Sequence, residues 1–435
     1  MFNLESFCGE LWSQIEINTL GDYKICCLAN YAKDYGMAHD DNGKVMNVLT
    51  HSFNDALNGK WQRAVRLNDV NNNNAWHDIC ACCREREAAT GGSPMHPHAS
   101  RRQSMERRNP STLPVNPDNF TQTDMDAQGY VPWNPTTLDI RFGNLCNQSC
   151  VQCGPHNSTQ WYEEAVGYSK SKEVRWGFGK QHFRLERDQH NRLHIPNEVK
   201  WWESPVWWEK FEALLPTLEH IYLTGGEPMI VPAHDEMLDR IIASGYAKNI
   251  YLDYDTNLSV INDKLAQRWN HFKHVEIAGS MDAAYEPFNL IRTGNWEVFK
   301  RNVQRIKEYE ADGIVKLHRL TSCAQISTSH TLFETEDWVG EQGIPFQVKF
   351  IDYPLMHNLA SLPRAAKEEL VEYYSSRNTD AVNTVRNWLI NHMDSDNIPA
   401  AREYIKFMDY LDSTRNTNWR SVLPGTWTLL NKYVV

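Results

Sequence analysis

Three cysteines carry the chemistry in this chain: Cys146, Cys150 and Cys153, in the run Cys146-Asn-Gln-Ser-Cys150-Val-Gln-Cys153. Thiolates are soft ligands suited to iron–sulfur clusters and to zinc. Three of them on one loop can hold three corners of a four-iron cube and leave one iron open to an outside ligand. A zinc knuckle whose fourth ligand lies elsewhere is the other chemistry the triplet supports.

A second group of cysteines lies near the start: Cys8, Cys26-Cys27 and Cys80-Ala-Cys82-Cys83. Residues 14–17 and 23–26 alternate apolar and polar about Thr19-Leu-Gly21-Asp22, which predicts a hairpin with glycine in the turn. Four thiolates drawn from this group would close a site completely. Adjacent cysteines point in different directions, so Cys27 is an alternative to Cys26 and Cys82 to Cys83. A four-cysteine zinc staple competes here with a closed cluster that carries electrons or buttresses the fold.

These residues need a frame. From residue 137 the chain alternates short β-branched or aromatic runs with amphipathic stretches, the pattern of repeated βα units. Strands are expected at 138–142, 220–224, 250–254, 274–280, 315–321 and 346–351, with helices between them, as at 232–244, 262–272 and 295–308. Six parallel strands with outer helices make an α/β fold, a partial (β/α)6 TIM-like barrel. In such barrels the chemistry gathers at the carboxyl ends of the strands. Those ends carry the cysteine triplet, then Gly225-Gly226-Glu227-Pro228, then Asn257, then Ser280 and Asp282. Their alignment is the strongest argument the residues offer.

The expected organisation is a Cys-rich β-hairpin/helix domain over 1–90, a Pro-, Ser- and Arg-rich linker over 91–135, the barrel over 136–352 and a helical extension over 353–435. A Trp-rich insertion at about 165–205 either lids the mouth or seats a helix on the barrel. Cys323 is a lone thiol at the end of the fifth strand, read first as a small buried hydrophobe.

The 435 residues are enough for a large core. The net charge of −11 argues against a nucleic-acid or anionic-membrane binder. No run approaches the roughly 20 apolar residues of a membrane span, and the start has no basic, then apolar, leader pattern. A cytoplasmic, reducing setting is expected, where ten clustered cysteines point to metal ligation rather than disulfides.

The spacing Cys-x3-Cys-x2-Cys, followed one strand later by Thr224-Gly-Gly-Glu-Pro228, resembles the radical S-adenosylmethionine (radical SAM) enzymes. The resemblance implies a [4Fe-4S] cluster on Cys146, Cys150 and Cys153 whose open iron is chelated by S-adenosyl-L-methionine. It implies cofactor contacts from Gly225, Gly226, Glu227 and Pro228, and from Asn257, Ser280, Asp282 and Arg292. Cys8, Gly21, Cys26, Cys80 and Cys83 are similar to the SPASM auxiliary-cluster module or its shortened twitch form, here placed before the barrel. One departure stands out: relatives usually carry an aromatic or bulky apolar residue before the third cysteine, where this chain has Gln152.

The chemistry implied is reductive cleavage of the cofactor to a 5′-deoxyadenosyl radical that takes hydrogen from a substrate. Auxiliary-cluster relatives favour a peptide or protein substrate, with a small molecule, nucleotide or sugar as the alternative. Flavodoxin or ferredoxin is the implied electron donor. A non-catalytic zinc or iron–sulfur binding protein is the rival from another class.

Overall fold

The computed structural model describes residues 8–27, 29, 33–70, 78–80, 83–84, 125–176, 181–196, 198–351 and 353–435. Cys82 and most of the expected linker lie outside the described residues. The strands are β1 (Gln14–Ile17), β2 (Tyr23–Lys24), β3 (Thr137–Ile140), β4 (Glu173–Trp176), β5 (Gln181–Arg184), β6 (Glu186–Arg187), β7 (Leu193–His194), β8 (His220–Leu223), β9 (Tyr251–Thr256), β10 (His274–Ser280), β11 (Lys316–Ala324) and β12 (Phe346–Phe350).

Eight of them form one mostly parallel sheet in the order β12-β11-β10-β9-β8-β3-β1-β2. The six strands expected from the βα alternation are β3 and β8 to β12, neighbours in the order they occur along the chain. This is the partial-barrel α/β architecture, with two strands added. Strand β1 pairs parallel with β3, Ile15 beside Leu138 and Ile17 beside Ile140, and β2 returns antiparallel. The hairpin is drawn into the main sheet because Ile15 and Ile17 repeat the apolar alternation of β3; all four side chains are fully buried.

The chain forms two compact units. The first comprises Met1–Gly143, Val199–Tyr254 and Asp263–Glu276; the second comprises Asn144–Glu198, Asp255–Asn262 and Ile277–Val435.

In the first unit the tryptophans settle into the core. Helix Pro205–Leu214 starts at Ser204, whose side chain accepts from the Val206 N–H, with proline at the first position. It buries Trp207, Phe211 and Leu214 along one face. Trp207 meets Trp201 at 4.8 Å between ring centroids, and Trp201 stacks on Phe142 at 5.5 Å. Gly21, at φ +82°, fits this packing: a Cβ there would lie 2.8 Å from the Trp201 ring. Of the two readings of the Trp-rich run, Trp201 and Trp207 follow the seating one.

The second unit holds β11, β12 and the C-terminal helices Arg364–Ser375, Asp380–Asn391, Ile398–Arg415 and Pro424–Tyr433. Their apolar faces, through Leu370, Val382, Leu389, Tyr404, Phe407 and Leu430, share one core with Val151 from the cysteine loop and Trp161 just beyond it. Trp161 stacks on Phe407 at 5.7 Å. Burying about 100 Å2 or more of each such ring contributes on the order of 2–3 kcal/mol. The cysteine loop is therefore anchored in a core rather than draped over a surface.

Candidate cofactor-binding site

In the second unit Cys146 and Cys150 are buried and Cys153 is half-buried. The loop that carries them is fastened by its backbone. The Val151 N–H donates to the Ile291 carbonyl at 2.8 Å and the Ser149 N–H donates to Thr293 Oγ1 at 2.7 Å. Cys150 Sγ lies 3.5 Å from the Arg292 carbonyl oxygen. Trp161 Nε1 donates to the Cys150 carbonyl at 3.1 Å. From the C-terminal helices, Arg415 donates to the Ser149 carbonyl at 2.9 Å. Loop backbone that would otherwise be unpaired is thus held by three distant segments.

The thiols interact with one another. A hydrogen bond from Cys153 pushes the Cys150 thiol below its ordinary value, against the effect of burial. The same contact, then burial, pushes Cys153 well above. Cys150 is therefore the more acidic of the two thiols.

Arg292, the last residue of helix Tyr285–Arg292, is buried beside these sulfurs. Burial works against its charge, but Cys150, Asp282 and Cys153 outweigh that and hold the guanidinium firmly cationic. Its Nη1 donates to Asp282 Oδ2 at 2.7 Å. Gln152 Nε2 donates to that same oxygen at 2.6 Å, and Asp282 Oδ1 accepts from the Cys323 N–H at 2.9 Å. Asp282 is not a helix cap. It is a buried strut at φ +60° joining Gln152, Arg292 and β11. The carboxylate that Arg292 meets in the structure is that of Asp282, so the charge it brings to the site faces the cysteine sulfurs.

Asn257 follows β9 and is buried. Its Nδ2 lies 3.9 Å from Cys146 Sγ and donates to Asn147 Oδ1 at 3.0 Å, while its Oδ1 accepts from the Ser259 N–H at 2.8 Å. It forms a turn and also touches the first cysteine. Ser280, the last residue of β10, is half-buried. Leu258, Asp282 and Thr293 all have φ between +52° and +60°. Three strained non-glycine residues beside one cysteine loop mark a site whose geometry the surrounding packing enforces.

The first unit holds the glycine motif. Gly225 has φ +120°, and a Cβ there would lie 3.1 Å from the Arg141 Cβ and 3.3 Å from the Gly143 carbonyl. Only glycine passes so close to the exit of β3. Gly226 is half-buried; Glu227 and Pro228 are buried. The Glu227 carboxylate accepts from the Met229 N–H at 3.2 Å, capping the turn that Pro228 starts. Cys8, Cys26, Cys80 and Cys83 are each half-buried. Among the described residues no three His, Cys, Asp or Glu side chains converge as ligands of a single metal ion do. A cubane takes one cysteine per iron and does not impose that convergence.

Two groups escape a reading of the sequence. Gln148, Trp161 and Arg415 support the cysteine loop, and only Gln148 lies close enough in sequence to be suspected. The other group is a row across the first unit's sheet: Lys24, Glu16, Asp139, Tyr222 and Asp253 are successive partners on β2, β1, β3, β8 and β9. Lys24 Nζ meets both Glu16 oxygens at 3.0 and 3.1 Å, and Arg141 Nη2 reaches Glu16 at 3.1 Å. Although burial raises it, the two cations hold the Glu16 carboxyl below its usual range. Asp139, fully buried with Arg141 no nearer than 3.6 Å, is pushed up to about 7 by desolvation, with Arg141 only partly offsetting this. Polar residues at alternate positions of β1 and β3 were the available signal.

No protein-family model matches this chain, and neither does any curated protein. Among solved structures, anSMEcpe with bound AdoMet matches with a TM-score of 0.36 and 15% identity, over 56% of this chain and 61% of that one. SuiB of Streptococcus suis matches with a TM-score of 0.35 and 12% identity, over 84% and 68% of the two chains. The same protein bound to its precursor peptide SuiA gives 0.33 and 13%, over 68% and 58%. The chain thus spans about three fifths of the anSMEcpe chain it resembles. These likenesses fix neither ligand nor reaction for this chain. No helix among the described residues is long and apolar enough to cross a membrane.

Proposed function

We propose that this chain is a radical SAM enzyme that modifies a peptide or protein. The observation that carries the reading is the buried cysteine loop with a counter-charge beside it. Arg292, itself paired with Asp282 at 2.7 Å, places a positive charge next to Cys150 and Cys153. A zinc knuckle would need a fourth ligand, and among the described residues no three His, Cys, Asp or Glu side chains converge on a single metal ion.

Cys146, Cys150 and Cys153 would hold the [4Fe-4S] cluster. When bound, the cluster and S-adenosyl-L-methionine together supply one-electron cleavage of the cofactor and hydrogen abstraction from the substrate. The chain's own work is positional. Arg292 lies beside the second and third cysteines and, with Gln152, is held by Asp282, which fixes the loop between them. Asn257 braces the first. Gly225 lets the turn after β8 pass close to Arg141 and the Gly143 carbonyl, which sets the path of the Gly225–Pro228 backbone. Polar Gln152, out of place against the family pattern, fits as the residue that reaches Asp282.

Cys8, Cys26, Cys80 and Cys83 would hold a twitch-like auxiliary cluster. A flavodoxin- or ferredoxin-type protein would deliver the electron, and a cytoplasmic setting suits both. The peptide substrate rests on the module's usual company, a small molecule being its rival.

The test is the iron, sulfide and zinc content after anaerobic reconstitution of wild type and a Cys146/Cys150/Cys153→Ala variant. About eight irons falling to about four is expected for two cubanes. Four falling to none, with zinc retained, would keep the enzyme but make the N-terminal site a structural staple. Zinc alone in both proteins would sink the reading.

A further inference from the structure

Strands β11 and β12 of the second unit carry a polar face that the cofactor reading leaves unused. They pair parallel, with Thr321 beside Gln347 and Cys323 beside Lys349. Side chains alternate along a strand, so Arg319, Thr321 and Cys323 share a face with Gln347 and Lys349. Leu320 and Val348 take the opposite face and are buried.

Several polar atoms on the first face have no hydrogen-bond partner among the described residues. Arg319 has a side chain only 11% exposed, and its Nη2 reaches Asp255 Oδ1 at 3.7 Å. Its Nε and Nη1 are buried and bare. The same holds for Thr321 Oγ1, on a residue 6% exposed, and for Gln347 Oε1. Lys349 Nζ meets Asp255 Oδ2 at 3.1 Å. Its side chain is 39% exposed, so this is where the face opens to solvent.

Buried polar groups are almost always paired, and each one left bare costs on the order of 1–3 kcal/mol. Four buried, bare atoms on one face of two paired strands leave donors and acceptors for a ligand to satisfy. Its chemistry is specific. Arg319 and Lys349 converge on the one carboxylate of Asp255. Unpaired guanidinium N–H groups ask for an anionic oxygen. Gln347 Oε1 asks for an N–H donor beside it.

We propose that this face is a substrate subsite for a carboxylate flanked by an amide N–H, as in an acidic peptide. Arg319 and Lys349 would take the carboxylate, and Thr321 and Gln347 the neighbouring amide. The proposal rests on the function above only in calling this ligand the substrate. The carboxylate has two sources in a peptide: an aspartate or glutamate side chain, or the free C-terminus.

The experiment uses full-length reconstituted protein with S-adenosyl-L-methionine present. Ligand-observed NMR follows three probes: acetyl-Ala-Asp-Ala-amide, acetyl-Ala-Ala-Ala with a free carboxylate, and acetyl-Ala-Lys-Ala-amide. At least one acidic probe is expected to bind about tenfold more tightly than the lysine probe. Arg319→Gln should abolish that preference and Arg319→Lys should restore part of it. Whichever acid is preferred names the source. Lys349→Gln, at a partly exposed position, should weaken the same probe about threefold and serves if Arg319→Gln does not fold. Equal binding of all three, binding of none, or a preference untouched by Arg319→Gln and Lys349→Gln overturns the subsite. Protein that binds an acidic probe through Arg319 but never cleaves S-adenosyl-L-methionine overturns the proposed reaction and leaves the subsite standing.

Discussion

Gln152, within the cysteine loop, and Arg292, at the end of helix Tyr285–Arg292, donate to the same oxygen of Asp282, at 2.6 and 2.7 Å. That shared acceptor links the residue before the third cysteine to the cation beside the second and third. Removing it leaves a buried guanidinium without its carboxylate, a loss typically worth about 3–5 kcal/mol. Asp282→Asn should lower the unfolding midpoint markedly and reduce the iron retained after reconstitution. Gln152→Leu removes only a neutral donor and should cost about 1–3 kcal/mol. Thermal unfolding of both variants, with iron analysis, checks the order. Equal losses would mean that the charge pair contributes nothing special.

Gly225 offers a backbone test. An alanine there must adopt φ +120° and place its Cβ 3.1 Å from that of Arg141. Gly225→Ala should destabilise by about 1–3 kcal/mol and weaken S-adenosyl-L-methionine binding as measured by calorimetry. Unchanged binding together with unchanged stability would remove the case for close approach at this loop.

Arg415 reaches back across most of the second unit to the Ser149 carbonyl and pairs with Glu164. Its guanidinium also lies 5.0 Å from the Trp161 ring centroid. Arg415→Ala should bare a loop carbonyl and leave the half-buried Glu164 without its cation, costing about 1–3 kcal/mol. We expect its reconstituted iron to be lost faster to a chelator than in wild type. Retention at the wild-type rate would show that the C-terminal helices do not steady the loop.

Asp139 predicts a pH dependence. Its carboxyl is raised from an ordinary 3.8 to about 7 in the folded state, so folding binds a proton that the unfolded chain releases. The stability this confers is complete below about pH 4 and is lost as pH rises through 7. Asp139→Asn abolishes the titration. Relative to wild type, the variant should gain stability as pH rises from 5 towards 7, by up to about 1.4 kcal/mol per pH unit, and level off by pH 8. Denaturant midpoints across that range measure it; parallel pH curves for the two proteins would refute the buried charge.

The sequence by itself determined the order of the βα units, because apolar alternation and intervening amphipathic stretches are local properties that survive without knowledge of contacts. It also determined which residues end each strand, and so placed the cysteine triplet, Gly225, Asn257 and Ser280 at strand ends. Gly21 and Gly225 were legible as turn residues, although their neighbours, the Trp201 ring and the backbone after β3, were not.

Only the tertiary structure decided what the charged residues do. Asp282 stands among the cofactor contacts that the family resemblance implies and is a strut in the structure, because a carboxylate's role depends on donors that arrive from Gln152, Arg292 and β11. The N-terminal hairpin has the pattern of a separate piece and joins the main sheet, because strand pairing is a long-range choice that residues 14–17 cannot announce. The row from Lys24 to Asp253 showed only as polar residues at alternate positions of β1 and β3, and the bare atoms of Arg319, Thr321 and Gln347 not at all, because register across strands, not spacing along one, brings them together.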